Sequence, residues 1–169
     1  MVCLSLEELY KEVILDHYRT PRNKGRLDPH DVKLERNNPL CGDEIELFVK
    51  FEGETLAGIS FDGKGCSISQ ASASMMTERV QDLSVKDATE LAETIKAMMA
   101  GEEEGDPDVL GDLVSLKGVV KYPVRIKCAL LGWNTLVEAI EESGRSWTTA
   151  PKASFSCCSS LLSSPPPRS

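Results

Sequence analysis

Histidine is nearly absent from this chain: only His17 and His30 occur in 169 residues. A cysteine hydrolase needs a histidine base beside its thiol, and neither histidine has a neighbouring cysteine motif, which counts against that class. No serine nucleophile elbow, phosphate-cradling glycine loop or zinc-protease helix motif occurs either. Basic residues are also in deficit, 19 Lys and Arg against 27 Asp and Glu, a net charge of −8. Nucleic-acid binding needs clustered Lys and Arg to neutralise phosphates, so no nucleic-acid partner is expected. No stretch approaches the roughly 20 apolar residues of a membrane span. The first twenty residues also lack an apolar run of signal-peptide length. The expectation is a cytoplasmic protein with no membrane partner. In that reducing compartment cysteines serve as ligands or nucleophiles more often than as disulfides. No internal repeat is evident.

What is present suits one domain, at about 100–200 residues per domain; 41% hydrophobic and 27% charged residues are ordinary for a globular chain. Ser5-Leu6-Glu7-Glu8 is a capping box. It opens a helix with Leu6, Leu9, Tyr10, Val13, Ile14 and His17 at helical spacing, stopped by Pro21. Ile45, Leu47, Val49 and Phe51 alternate with Glu44, Glu46, Phe48, Lys50 and Glu52, the pattern of a half-buried strand. Gly53-Glu54 turns the chain into a second strand, Thr55 to Asp62. There Leu56 is out of phase with Ile59 and Phe61, and Gly58 between them suggests a bulge. A third strand is expected in the loop before Cys41 or just before Cys66.

Helical tendency follows from Ser67 to Gln81. Ser84 caps a helix whose stripe is Ala88, Leu91, Ala92, Ile95, Met98 and Met99, ended by Gly101. After an acidic segment, Asp106-Pro107 caps a short helix through Leu116. A last helix starts near Pro123, a residue suited to the first helical position, and carries Val124, Cys128, Leu131, Leu136, Ala139 and Ile140. This order implies an α+β fold: a small, about three-stranded antiparallel sheet packed against helices on one face. The domain is expected over residues 1–147. Residues 148–169 are half Ser and Pro, a disordered tail by composition.

Three cysteines stand in three different settings. Cys41 lies in the loop Asn38-Pro39-Leu40-Cys41-Gly42-Asp43, Cys66 follows Gly63-Lys64-Gly65 at a strand-to-helix corner, and Cys128 begins the last helix. With Asp43 they offer three soft sulfurs and one hard oxygen, a set able to fill a tetrahedral metal shell. Residues i and i+2 of an extended segment share a side, so Cys41 and Asp43 can act together; a simple turn is the plain alternative for this triplet. A thiol at a helix start is favoured as thiolate. Taken alone, Cys66 has the alternative of a small buried residue, and Cys128, on an apolar stripe, reads first as a core cysteine. Arg125, three residues before Cys128 on one helix face, is either a plain surface arginine or placed to offset the excess negative charge of three thiolates and a carboxylate around a divalent ion. His17 reads as a satisfied core histidine rather than a ligand, and His30, Cys3, Cys157 and Cys158 have no evident role.

These segments resemble the SufU-type branch of the IscU/NifU-like iron–sulfur cluster assembly proteins. The resemblance runs over roughly residues 5 to 147. It is carried by Leu9-Tyr10 through Asp16-His17-Tyr18, Pro21-Arg22-Asn23-Lys24-Gly25, Asn38 to Asp43, Gly65-Cys66-Ser67-Ile68-Ser69, Ala71 to Glu78 and Pro123 to Ala129. It implies a small antiparallel sheet covered by helices. Lys127 stands where scaffold-type members carry a histidine, and the stretch from Gly101 to about Val119 matches an insertion of the SufU type. The resemblance further implies that Cys41, Asp43, Cys66 and Cys128 ligate zinc and that Cys41 takes sulfur from the persulfide of a SufS-like cysteine desulfurase. Cys41 and Arg125 are then the expected catalytic pair. The family analogy has a desulfurase histidine replace Cys41 on the metal. The alternative role is a scaffold that builds a [2Fe–2S] cluster, or holds iron, on the same residues and passes it to downstream assembly machinery or apo-proteins. In that case the protein is no enzyme. A domain with a purely structural zinc is a third reading.

Overall fold

The computed structural model describes residues 5–145; Cys3, Cys157, Cys158 and the tail expected over 148–169 lie outside them. Helix α1 (Leu6–Arg19) is followed by strands β1 (Val32–Asn38), β2 (Asp43–Glu52) and β3 (Thr55–Lys64). Helices α2 (Ser67–Val80), α3 (Val85–Ala100) and α4 (Pro107–Leu110), a 3-10 segment (Gly111–Lys121) and helix α5 (Pro123–Glu142) complete the order. The sheet is antiparallel, ordered β1-β2-β3. The third strand falls in the loop before Cys41, the first of the two places the sequence allows. Ala57 is the bulged residue: Lys50 pairs with Gly58 but Phe51 pairs with Leu56. That extra residue reverses the phase, so Leu56 and Phe61 both reach the core.

Helices α2 and α5 lie against the sheet, and α1, α3 and the 3-10 segment pack outside them. Ile45, Leu47 and Val49 of β2 meet Met76, Trp133 and Leu136 in one buried cluster. The opposite sheet face is not fully open, as simple alternation suggests. Phe48 is completely buried there, because the loop after α1 brings the His30 ring edge-on to it at 5.2 Å and lays Arg26 over it. His30 thus has a packing role.

Two helices differ from expectation. The chain leaves the helical path at Gly111, whose φ of +55° ends α4 after one turn, so the expected helix through Leu116 becomes 3-10. Helix α2 is the buried centre of the molecule despite its serines. Ser72 Oγ donates to Ala129 O at 2.6 Å and accepts from Trp133 Nε1 at 3.3 Å, so α2 meets α5 closely with its polar atoms satisfied. His17 is buried as expected of a core histidine, with Nδ1 2.9 Å from Ser74 Oγ and Nε2 3.4 Å from Asp112 Oδ2. Among the described residues no helix is long and apolar enough to cross a membrane.

Candidate metal centre

The site sits where the β1–β2 loop, the β3–α2 corner and the start of α5 converge. Asn38 O accepts from Cys41 N at 3.2 Å and Gly42 N at 2.8 Å, closing the loop. Gly42 adopts a φ of +69°, a left-handed conformation that favours glycine and turns the chain into β2. Asp43 opens β2 with its side chain inward, only 1% exposed. Its Oδ1 accepts from Cys66 N at 2.8 Å. Gly65 makes room for it, since a Cβ there would stand 2.7 Å from the same oxygen. Cys66 is the N-cap of α2, and its Sγ accepts from Ser69 N at 3.3 Å. Cys128 is fully buried in the second turn of α5.

Three of the four expected ligands come together: atoms of Cys41, Asp43 and Cys128 lie within 4.8 Å of one another. The Cys41 and Cys128 sulfurs are 2.8 Å apart, in contact yet well beyond the roughly 2.05 Å of a disulfide bond, and both thiols are free. Cys66 stands at the margin of this group. Its Sγ is 3.9 Å from Asp43 Oδ2, and it is also held by the Arg125 guanidinium. Arg125 lies exposed at the rim, its proton held more tightly than usual by Cys66 first and then by Cys128 and Cys41. Burial above all, followed by hydrogen bonds that the Cys128 thiol donates toward Cys41 and Asp43, pushes that thiol well up from its usual range. The same burial favours the protonated form of Cys128, whose Sγ faces Cys41 Sγ as hydrogen-bond donor.

This donor set fits a thiophilic divalent ion such as zinc. Asp43 supplies the physical test. Buried carboxylates are rare unless paired, and no Lys or Arg ion pair reaches Asp43 among the described residues. A cation between the carboxylate and the sulfurs would supply the missing counter-charge. Sequence reasoning missed two contributors, Gly65 and Asn38. A glycine before a helix-capping cysteine, and an Asn-Pro opening a turn, were the available signals.

The family described as the NifU-like N-terminal domain matches residues 9–142. The chain belongs to this family. Among its NifU-like relatives, the zinc-dependent sulfurtransferase SufU of Bacillus subtilis (strain 168) is 44% identical over 142 residues, covering 83% of this chain and 96% of that protein. The iron–sulfur cluster assembly scaffold protein IscU of Streptococcus pyogenes serotype M1 is 43% identical over 143 residues, 85% of this chain and 89% of that protein. A crystal structure of a candidate scaffold protein for the SUF system, from Fervidobacterium islandicum AW-1, superposes with a TM-score of 0.73 at 34% identity, covering 80% of this chain and 99% of that one. A NifU-like N-terminal structure from Brucella abortus, at 18% identity and a TM-score of 0.75, shows the same fold.

Proposed function

We propose that this protein serves iron–sulfur cluster assembly as a sulfurtransferase, accepting persulfide sulfur from a cysteine desulfurase onto Cys41. The observation that carries the reading is the inequality of the three thiols. Cys128 is fully buried; Cys41 and Cys66 are both part-exposed, but the Cys66 sulfur is engaged in capping α2, whereas Cys41 stands on a loop with no backbone N–H on its sulfur among the described residues. Cys41, Asp43, Cys66 and Cys128 would hold zinc, which when bound would supply a charge that keeps these thiols deprotonated at neutral pH.

The transfer itself is a thiol–disulfide type of exchange. The Cys41 thiolate attacks the terminal sulfur of the donor persulfide. A new S–S bond forms at Cys41, the donor's S–S bond breaks, and the donor cysteine leaves as thiolate. Cys41 then carries the sulfur as a persulfide, with no net oxidation. Arg125, exposed beside all three sulfurs, attracts the anionic persulfide and offsets the charge gathered there. The name of the B. subtilis relative, a zinc-dependent sulfurtransferase, supports the transfer step, and the name of the SUF-system structure, a candidate iron–sulfur cluster assembly scaffold protein, supports the assembly role.

Relatives named as IscU scaffolds favour a second reading, in which the same residues hold a [2Fe–2S] cluster for apo-proteins. Two measurements separate the readings. Added to a SufS-like desulfurase, this protein raises alanine production from cysteine if it accepts sulfur; unchanged turnover refutes the proposal. Anaerobic purification then yields stoichiometric zinc without sulfide for the transferase, and sulfide with visible absorption for the scaffold.

A further inference from the structure

We infer that Asn38 is the positioning residue that sets Cys128 apart from Cys41, anchoring one sulfur and leaving the other free to exchange. The inference rests on reading the Cys/Asp group as a metal site. Asn38 is only 8% exposed, and it pairs with Asp43 at the end of the β1–β2 ladder. Its side-chain amide is used at both ends. Oδ1 accepts from Leu40 N at 3.2 Å, which fixes the orientation of the amide, and Nδ2 then points to Cys128 Sγ at 3.9 Å.

The three sulfurs consequently differ in their donors. Cys66 Sγ receives the Ser69 backbone N–H, and Cys128 Sγ receives the Asn38 amide. Among the described residues, no amide N–H reaches Cys41 Sγ; its sulfur meets only the Cys128 thiol and, at longer range, the charge of Arg125. An N–H donated to a thiolate stabilises its lone pairs, lowering its nucleophilicity and its donor energy toward a metal. Once Cys128 gives up its proton to a bound metal, Cys41 is the sulfur left without an amide donor, and it lies part-exposed on a loop. Asn38 joins both properties in one side chain, bracing the Cys41 turn through Leu40 while satisfying Cys128.

The test uses full-length protein loaded with cobalt(II), whose thiolate-to-metal charge-transfer band reports sulfur donor energy. Asn38→Ala removes both ends of the amide. Asn38→Ser keeps a short oxygen for Leu40 N but cannot reach Cys128. Both variants are expected to move the band to longer wavelength and to weaken cobalt binding by about 10-fold or more. Limited iodoacetamide labelling, mapped by mass spectrometry, is expected to shift toward Cys128 relative to Cys66, which serves as the internal control. A role in the turn alone weakens binding in the Ala variant and leaves the band where it is. Should Asn38→Ala fail to fold, Asn38→Ser decides. A normal wild-type band that neither variant moves, with an unchanged Cys128 to Cys66 labelling ratio, overturns the role of Asn38. A wild-type protein without any thiolate-to-cobalt band overturns the metal-site reading beneath it.

Discussion

Cys41, Gly65 and Asp43 show how single side chains set the chemistry of this corner of the fold. Cys41 lies on a loop and contributes no buried apolar contact, so Cys41→Ala is expected to change metal-free stability by only about 0.5 kcal/mol or less in denaturant unfolding. The same variant loses persulfide uptake, read as the absence of an added sulfur by mass spectrometry after incubation with desulfurase and cysteine. Retained uptake at another cysteine removes Cys41 from the role. Gly65→Ala acts from the other side: a Cβ 2.7 Å from Asp43 Oδ1 pushes the carboxylate away from the sulfurs. Zinc affinity is expected to fall by about 10–100-fold, as for other changes that misplace a ligand's support. Competition with a chromophoric chelator measures it, and wild-type affinity would show that Asp43 has room to adjust. Cys41 and Asp43 were legible from local sequence because i and i+2 spacing acts within one segment. Gly65 was not, because the atom it must avoid belongs to a residue 22 positions earlier.

At the level of elements, the sharpest difference concerns α2. Its run of Ser and Ala offers no amphipathic stripe, so its sequence marks a helix without marking the centre of the molecule. Small residues earn that position through close approach, with Ser72 bridging to α5 and Ser74 to His17. Helix α1 shows the converse. Its apolar stripe reads as a core face, yet Leu6 and Leu9 are largely exposed, and His17 is its one fully buried side chain. His17 thereby ties α1, α2 and the 3-10 segment together through Ser74 and Asp112. His17→Leu fills the volume and leaves Ser74 Oγ accepting from Arg22 N at 2.8 Å, but it removes the His17 ring nitrogen from that buried hydroxyl. It is expected to cost about 1–3 kcal/mol in urea unfolding, with zinc affinity unchanged because the side chain lies outside the metal group. A loss of zinc binding would instead place α1 within the site's support. Strands and capped helices were legible because alternation, Ser84 and Gly101 act over a few residues. The short helix before the 3-10 segment was misjudged because Gly111 permits a backbone turn that side-chain periodicity does not record.

At the scale of the whole molecule, the site joins three stretches that the sheet and α5 bring together, so a bound ion cross-links elements distant in sequence. A ligand that binds only the folded state stabilises it by mass action, by about 2.7 kcal/mol when present at 100 times its dissociation constant. Chelation of the holo-protein is therefore expected to lower the thermal midpoint, and zinc to restore it. A midpoint indifferent to chelator means that no metal couples to the fold. The sequence by itself determined the element order, the α+β class, the family resemblance and the residue types available for chemistry, because these depend on neighbours within a turn or a strand and on the order of local motifs. Tertiary structure decided which of those residues meet. It set the Cys41 and Cys128 sulfurs in contact, buried Asp43 without a basic partner, left Cys66 at the margin with Arg125, and gave Asn38 to Cys128. Those outcomes depend on packing between segments up to 90 residues apart, where spacing along the chain carries no information about distance in space.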